Sequence, residues 1–323
     1  MTPEELAYRQ RALQTFGSLE DGVLAARSRA IIGTDQLPQT PQGQLAISCL
    51  NKLRVGANPG PTPMEFAALE YMIRAMRPAP LVHGGEVDKV TDADYLTAFT
   101  HWTDFVRQFP LVSASIGRIS KWNGPARSNA DRVGTGFLVA PGVVMTNIHV
   151  LDYLSGGSNQ LQTGQAFMEF RCEEGDLTDE PYFDLTSVIA LHPTQDACLL
   201  RVGGNPSGTS LSLNPNTAAA NTQVAAVGFP YPDSDRNPMF VSSVFGTKFG
   251  FKHVSPGLLT GGQVRTGTVW HDCSTLGGES GSPVLSLADC SVIGLHREGG
   301  FMWKNLAVDS AQLAGWVKGV PGV

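Results

Sequence analysis

The chain has 323 residues, 42% of them hydrophobic, enough to bury the cores of two domains. A net charge of −6 and a pI near 5.6 argue against a nucleic-acid footprint or a polybasic membrane anchor. No apolar run reaches the ~20 residues that span a bilayer, so neither partner is expected. Thirty-six glycines and 21 prolines point to many turns, as an all-β domain needs. The cysteines at 49, 172, 198, 273 and 290 have neither metal-ligand spacing nor the even count of a disulfide framework, and no metal or other cofactor is expected. The charged start Met1–Arg11 lacks the apolar core of a secretory signal, and the chain reads as soluble and cytoplasmic.

Residues 1 to about 110 read as a helical region. Thr2-Pro3-Glu4-Glu5 supplies an N-cap, a proline at the first helical position and two carboxylates at the positive end of the dipole, predicting a helix to about Phe16. A second apolar-periodic run spans Leu19 to Ile32 and stops at Gly33. Prolines and a glycine make Thr34–Gly43 a loop, after which Gln44–Leu53 reads as a short helix. Beyond the breaker Gly56–Pro61, Thr62-Pro63-Met64-Glu65 repeats the capped start, with Phe66, Leu69, Met72, Ile73 and Met76 on one core-facing stripe. Thr91–Asp94 opens a further helix through Tyr95, Phe99, Trp102, Phe105 and Val106 that ends before Pro110.

From Leu111 to Val323 the period becomes strand-like. Ser115–Ser120 is a first strand, and 136–140 with 143–146 form a hairpin that delivers His149 just past its second strand. Short apolar runs recur at 166–171, 186–190, 197–202, 223–227, 241–245, 262–270, 283–286 and 292–296. With turns between them and no intervening helices, they predict a sandwich or barrel. Asp309–Val317 reads as a closing helix with Leu313, Trp316 and Val317 on one face.

The stretch Asp272–Val284 carries the chemistry. Glycines at 277, 278 and 281 permit a tight turn that exposes Ser280 and aims the backbone amides of Gly278 and Ser280 at one oxygen. A serine hydroxyl is a poor nucleophile at neutral pH, so a histidine must take its proton and a carboxylate must hold the imidazole in the right tautomer. His149 and Asp196 are the candidates, and the chain order His, Asp, Ser is that of chymotrypsin-like enzymes, not of α/β-hydrolases or subtilisins. Asp152 lies too close in sequence to His149 to reach around its ring, and Asp272 reads as ordering the nucleophile loop. Cys198 reads as a core residue, and His83, His101, His192 and His253 as surface residues.

Gly134-Thr-Gly-Phe-Leu-Val with Thr146-Asn-x-His149-Val, then Asp196-Ala-x-Leu-Leu, then Gly278-Glu-Ser280-Gly-Ser-Pro-Val, resembles the bacterial trypsin-like serine peptidases. The nearest likeness is to glutamyl endopeptidases and high-temperature-requirement proteases, over about 115–318. The resemblance implies a mainly β chain with the chymotrypsin-like double β-barrel, six strands in each, a site in the cleft between them, and the helical region in front. It implies a serine endopeptidase acting on proteins or peptides, with a primary pocket lined by Ser274, Thr275 and the run Gly294–Gly300. In glutamyl endopeptidases a threonine and a histidine bind the substrate carboxylate. Thr275 stands at the matching spacing, and His296 matches if the intervening hairpin is one residue longer.

Those enzymes also use a free mature α-amine, which about 110 preceding residues displace here. His296 is therefore open between carboxylate selector and plain pocket wall, and Arg297 between a source of positive charge and a solvent-facing residue. Ser274 stands where a basic-preferring pocket would carry aspartate. The helical region resembles extensions on uncharacterised bacterial trypsin-like proteins, some of which accompany defence systems. It is open between binding a protein partner, covering the cleft as a latency device, and bracing the first barrel. An esterase-like acyl hydrolase and a catalytically silent recognition module are the alternatives.

Overall fold

Twelve strands close into two six-stranded antiparallel barrels, and helices precede them, so the chain is mainly β with a helical region. The computed structural model describes residues 1–20, 22, 24–25, 37–89, 99–174, 181–232, 238–263, 266–299 and 305–323. The first barrel comprises β3 (Ile116–Lys121), β4 (Asp131–Ala140), β5 (Val143–Thr146), β6 (Ala166–Glu169), β7 (Phe183–Leu191) and β8 (Cys198–Val202), joined in the order β3-β4-β5-β8-β7-β6. The second comprises β9 (Gln223–Gly228), β10 (His253–Gln263), β11 (Thr268–His271), β12 (Pro283–Ser286), β13 (Val292–Gly299) and β14 (Asn305–Asp309), in the order β10-β11-β14-β13-β12-β9. Closure leaves neither sheet with a free edge.

Each barrel fills its interior with apolar side chains. Ile119, Leu138, Val144, Met168, Leu185 and Leu200 pack in the first, and Val224, Ala226, Leu259, Val269, Val284 and Ile293 in the second. The outward face of several of the same strands builds a third core at the seam, where Phe137, Met145 and Leu199 meet Ala225, Val227, Leu285 and Leu295. This explains why every residue of β5 and β12 is buried, since such strands are covered on both faces. The seam fixes one barrel against the other, and with it the cleft.

Helix α1 (Pro3–Phe16) begins at the predicted N-cap Thr2, which with Glu5 completes a capping box, each bonding the other's backbone. Helix α2 runs from Pro41 to Val55, three residues earlier than predicted, because Thr40 caps it through Gly43 N and Pro41 takes the first helical position. Helix α3 (Pro63–Ala75) starts on the Thr62–Glu65 box and buries Leu69, Met72 and Ile73. Two short strands follow, β1 (Val82–His83) and β2 (Glu86–Val87), in a stretch read as helical. Of the expected second helix, residues 26–32 lie outside the described residues, as do 91–98 of the later one, where α4 (Trp102–Gln108) and α5 (Pro110–Ser113) are seen.

Other expectations are corrected. The run 241–245 is no strand but the end of helix α7 (Pro238–Phe245), whose Val241, Val244 and Phe245 turn together into the helical core. Helices do occur between barrel strands, α7 and α6 (Ile148–Ser155) among them. The run 262–270 is not one strand: β10 ends at Gln263 and β11 begins at Thr268. His253 is fully buried rather than on the surface, its Nδ1 bonded to the Phe251 carbonyl at 3.0 Å, because the chain at 80–82 covers it with an added bridge and backbone bonds to β10. His192 is half-buried and accepts the amides of Thr194 and Gln195, while His83 is half-buried and His101 exposed. The closing helix α8 (Ser310–Lys318) is capped by Asp309, as its sequence predicts.

Candidate active site

Pairing of β5 with β8 sets Thr146 opposite Cys198, which brings the residues just beyond each strand end together. His149 lies in the first turn of α6, and its Nδ1 is 2.7 Å from Asp196 Oδ2. The other oxygen, Oδ1, accepts the His149 backbone amide at 3.1 Å, so the carboxylate sits at the positive end of the helix. Asn147 holds the same corner by donating Nδ2 to the Asp196 carbonyl at 2.8 Å. Burial works against the Asp196 charge, yet the hydrogen bonds and charge of His149 outweigh it and hold the carboxyl below its ordinary range. The imidazole is 47% exposed.

The Ser280 loop is wedged between the barrels. Thr135 of β4 donates its amide to the Ser280 carbonyl at 2.8 Å and its hydroxyl to the Gly278 carbonyl at 2.9 Å. Behind the loop, Gly281 N donates to the His296 carbonyl and His296 N to the Ser282 carbonyl, at 2.8 and 2.9 Å. Gly278 and Gly281 have φ of 84° and 87°, and a Cβ on Gly281 would lie 2.0 Å from the Thr135 carbonyl, so glycine alone serves there. Glu279 closes the turn from inside, accepting Leu276 N at 2.7 Å. The Ser280 hydroxyl donates to the Arg297 carbonyl at 3.5 Å. Gly134 brings this loop close to the histidine's helix: a Cβ there would stand 2.9 Å from both the Ser280 carbonyl and Val150 Cγ2.

Of the expected pocket residues, Ser274, Thr275 and His296 are all buried, and a Cβ on Gly299 would lie 3.0 Å from Thr275 Oγ1. Gly300 lies outside the described residues. His296 is paired with a residue that sequence reading passed over: His271 Nε2 is 3.1 Å from His296 Nδ1. Burial, with the His149 and Arg74 charges, pushes His296 down to about 3, and His271 also falls well below its ordinary value. Both rings are therefore neutral at physiological pH. Arg297 is half-buried. Asp152 contributes no contact to His149, whereas Asp272 is buried beneath the loop with arginines from the helical region.

Neutral buried histidines make a pH prediction. The unfolded chain takes up their protons below ~6.5, while the folded chain resists until about 3 for His296, so stability is complete above ~6.5 and is lost as pH falls. Each such histidine contributes a slope of up to about 1.4 kcal/mol per pH unit in that window. Asp272, held at about 2 by Arg77 and Arg11 against its burial, adds its loss only below ~3.9. Denaturant unfolding at pH 7.5, 6 and 5 is expected to show falling stability, with a flatter profile in His271→Gln.

The trypsin-like peptidase domain family matches residues 134–295, half of the chain, from within β4 to within β13. This chain belongs to that family. As a trypsin-like peptidase it is a serine endopeptidase, acting on protein or peptide substrates. It is similar to a probable serine protease of Lysobacter enzymogenes, with 26% identity over 70% of this chain and 67% of that one. Among solved structures it is similar to the serine endoprotease of Yersinia pestis (14% identity, 68% of this chain and 66% of that one, TM-score 0.47). The active form of the Rv3671c protease of M. tuberculosis also matches (18% identity, 66% and 83% coverage, TM-score 0.45). Among the described residues no His, Cys, Asp or Glu group is arranged to hold a metal, and no helix is long and apolar enough to cross a membrane.

Proposed function

We propose that this trypsin-like peptidase cleaves through an acyl-enzyme on Ser280, in the cytoplasm, with His149 as the proton carrier and Asp196 as its anchor. The observation that carries the reading is the double grip of Asp196 on His149, through ring Nδ1 and backbone N at 2.7 and 3.1 Å. With Nδ1–H committed to the carboxylate, Nε2 bears the lone pair that takes the Ser280 proton once Oγ turns from the Arg297 carbonyl. Oγ attacks the scissile carbonyl, the oxyanion is met by the amides of Gly278 and Ser280, and the imidazolium returns its proton to the leaving amine. Water then attacks the ester by the same route. Labelling with a fluorophosphonate and mapping the modified peptide tests this: an adduct on Ser280 is expected, and an adduct elsewhere or none would sink it. Turnover of peptides over simple esters separates peptidase from esterase.

The same proposal gives the pocket a preference for an acidic residue before the scissile bond. His271 Nε2–H donating to His296 Nδ1 leaves the neutral His296 ring with Nε2–H, a donor for a substrate carboxylate. A hydrogen bond to a charged group contributes ~1.5–3 kcal/mol, or roughly ten- to a hundredfold. His296→Leu is expected to lower kcat/KM by that factor for glutamate substrates and to leave glutamine substrates nearly unchanged. A peptide library read by mass spectrometry measures both; equal losses would return His296 to a plain wall.

A further inference from the structure

We infer that the helical region is a positioning element of the active site, with Arg77, seconded by Arg11, acting on the primary-pocket wall through Asp272. Asp272 heads the segment that carries Ser274 and Thr275 and runs on to Ser280. It is 1% exposed and is held from two sides. From the second barrel, Leu258 N donates to its Oδ1 at 2.6 Å, and Asp272 N returns a bond to the Leu258 carbonyl at 3.0 Å. From the helical region, Arg77 NH1 lies 2.8 Å and Arg11 Nε 3.7 Å from its Oδ2.

These arginines are themselves fixed. Glu70 of α3 pairs with Arg11 and, at 2.9 Å, with Arg74 Nε, while Arg77 reaches Thr15 of α1 and lies over the Phe99 ring. Burial alone would favour a protonated Asp272, but Arg77 and Arg11 more than offset it and keep the carboxylate charged. A charged group this deep needs its partner, because removing one side of a buried pair leaves the other uncompensated.

A second contact is independent of charge. Leu276, at the far end of the same segment, is packed in the helical core with Leu69, Met72, Ile73 and Met76. The pocket wall is thus clamped at both ends by residues from the first eighty. Its shape passes to the oxyanion turn, since Glu279 bonds Leu276 N through its side chain and the Leu276 carbonyl through its amide. This packing favours bracing over latency: the helices support the site's wall from behind.

The inference rests on the Ser280 reading, and the test separates the two. Arg77→Met, Asp272→Asn and their double variant are made in the full chain and compared with wild type for kcat, KM and rate of fluorophosphonate labelling, at a temperature where melting curves show each folded. Each single variant is expected to lower kcat/KM and the labelling rate by roughly ten- to a hundredfold, the double variant no further than the worse single, and Arg77→Lys to recover part of the loss. Should Arg77→Met fail to fold, the isosteric Asp272→Asn, which keeps an acceptor for Leu258 N, carries the test. Folded variants that label and turn over like wild type, or losses that simply multiply, would overturn the inference. A wild type that does not label on Ser280 would instead overturn the nucleophile assignment.

Discussion

Ser280→Ala is expected to lower kcat about a million-fold while leaving KM and the melting temperature close to wild type. The hydroxyl makes one long bond, to the Arg297 carbonyl at 3.5 Å, so its removal takes little from the fold. The loop's geometry resides elsewhere, in the Thr135 bonds to Ser280 and Gly278 and in the backbone bonds with His296. What disappears is the hydroxyl proposed to form the acyl bond. The residual rate would come from substrate binding and the Gly278 and Ser280 amides, which alanine preserves. Adding His149→Ala to Ser280→Ala should then cost almost nothing more, because the two residues act as one unit. Single-turnover kinetics on an activated peptide substrate measure this, with melting curves as the control. A drop of less than a hundredfold would remove Ser280 from the nucleophile's role.

Much of the architecture was readable because local rules and the fold agree. Thr-Pro pairs mark helix starts, and Thr40-Pro41 is hidden among prolines that read as breakers although Pro41 is a first-turn residue. The barrel strands are legible where apolar residues cluster, and poorly so in β10, whose His253-Val-Ser-Pro-Gly-Leu-Leu sequence lacks alternation. Its burial comes from barrel closure inside and the helical region outside, both non-local. Val241–Phe245 shows the same limit from the other side: five residues suit a strand or a helical turn, and only the core they face decides.

The site divides in the same way. Residue type and chain order single out His149, Asp196 and Ser280, but the His149–Asp196 pairing depends on the β5–β8 register, and the seat of the Ser280 loop on Thr135 reaching across from the first barrel. His271 carried no signal, as its partnership with His296 joins β11 to β13, two strands that β14 separates, across 25 positions. Arg11 and Arg77 carried none either, since no spacing rule links a helix at the chain's start to Asp272. Buried charge away from the reacting atoms is legible only once the fold is known.

Asp196→Asn is expected to lower kcat about ten-thousand-fold at neutral pH without disturbing the fold. Asparagine retains a carbonyl oxygen, and the helix end will keep it, because the His149 amide offers only a donor at 3.1 Å. The amide NH₂ is then directed at ring Nδ1, where the carboxylate Oδ2 now accepts at 2.7 Å. Two donors cannot share that contact, so the ring must carry its proton on Nε2. An imidazole in that tautomer presents N–H to Ser280 and has no lone pair for the serine proton. The defect therefore lies in kcat, with KM and thermal stability little changed, and the half-exposed imidazole stays in place. Steady-state kinetics with thermal unfolding check it, and Asp152→Asn, which alters a carboxylate without contact to the ring, should remain within a few fold of wild type. Retention of more than a tenth of the activity in Asp196→Asn would show that the carboxylate's charge and tautomer control are not what the reaction uses.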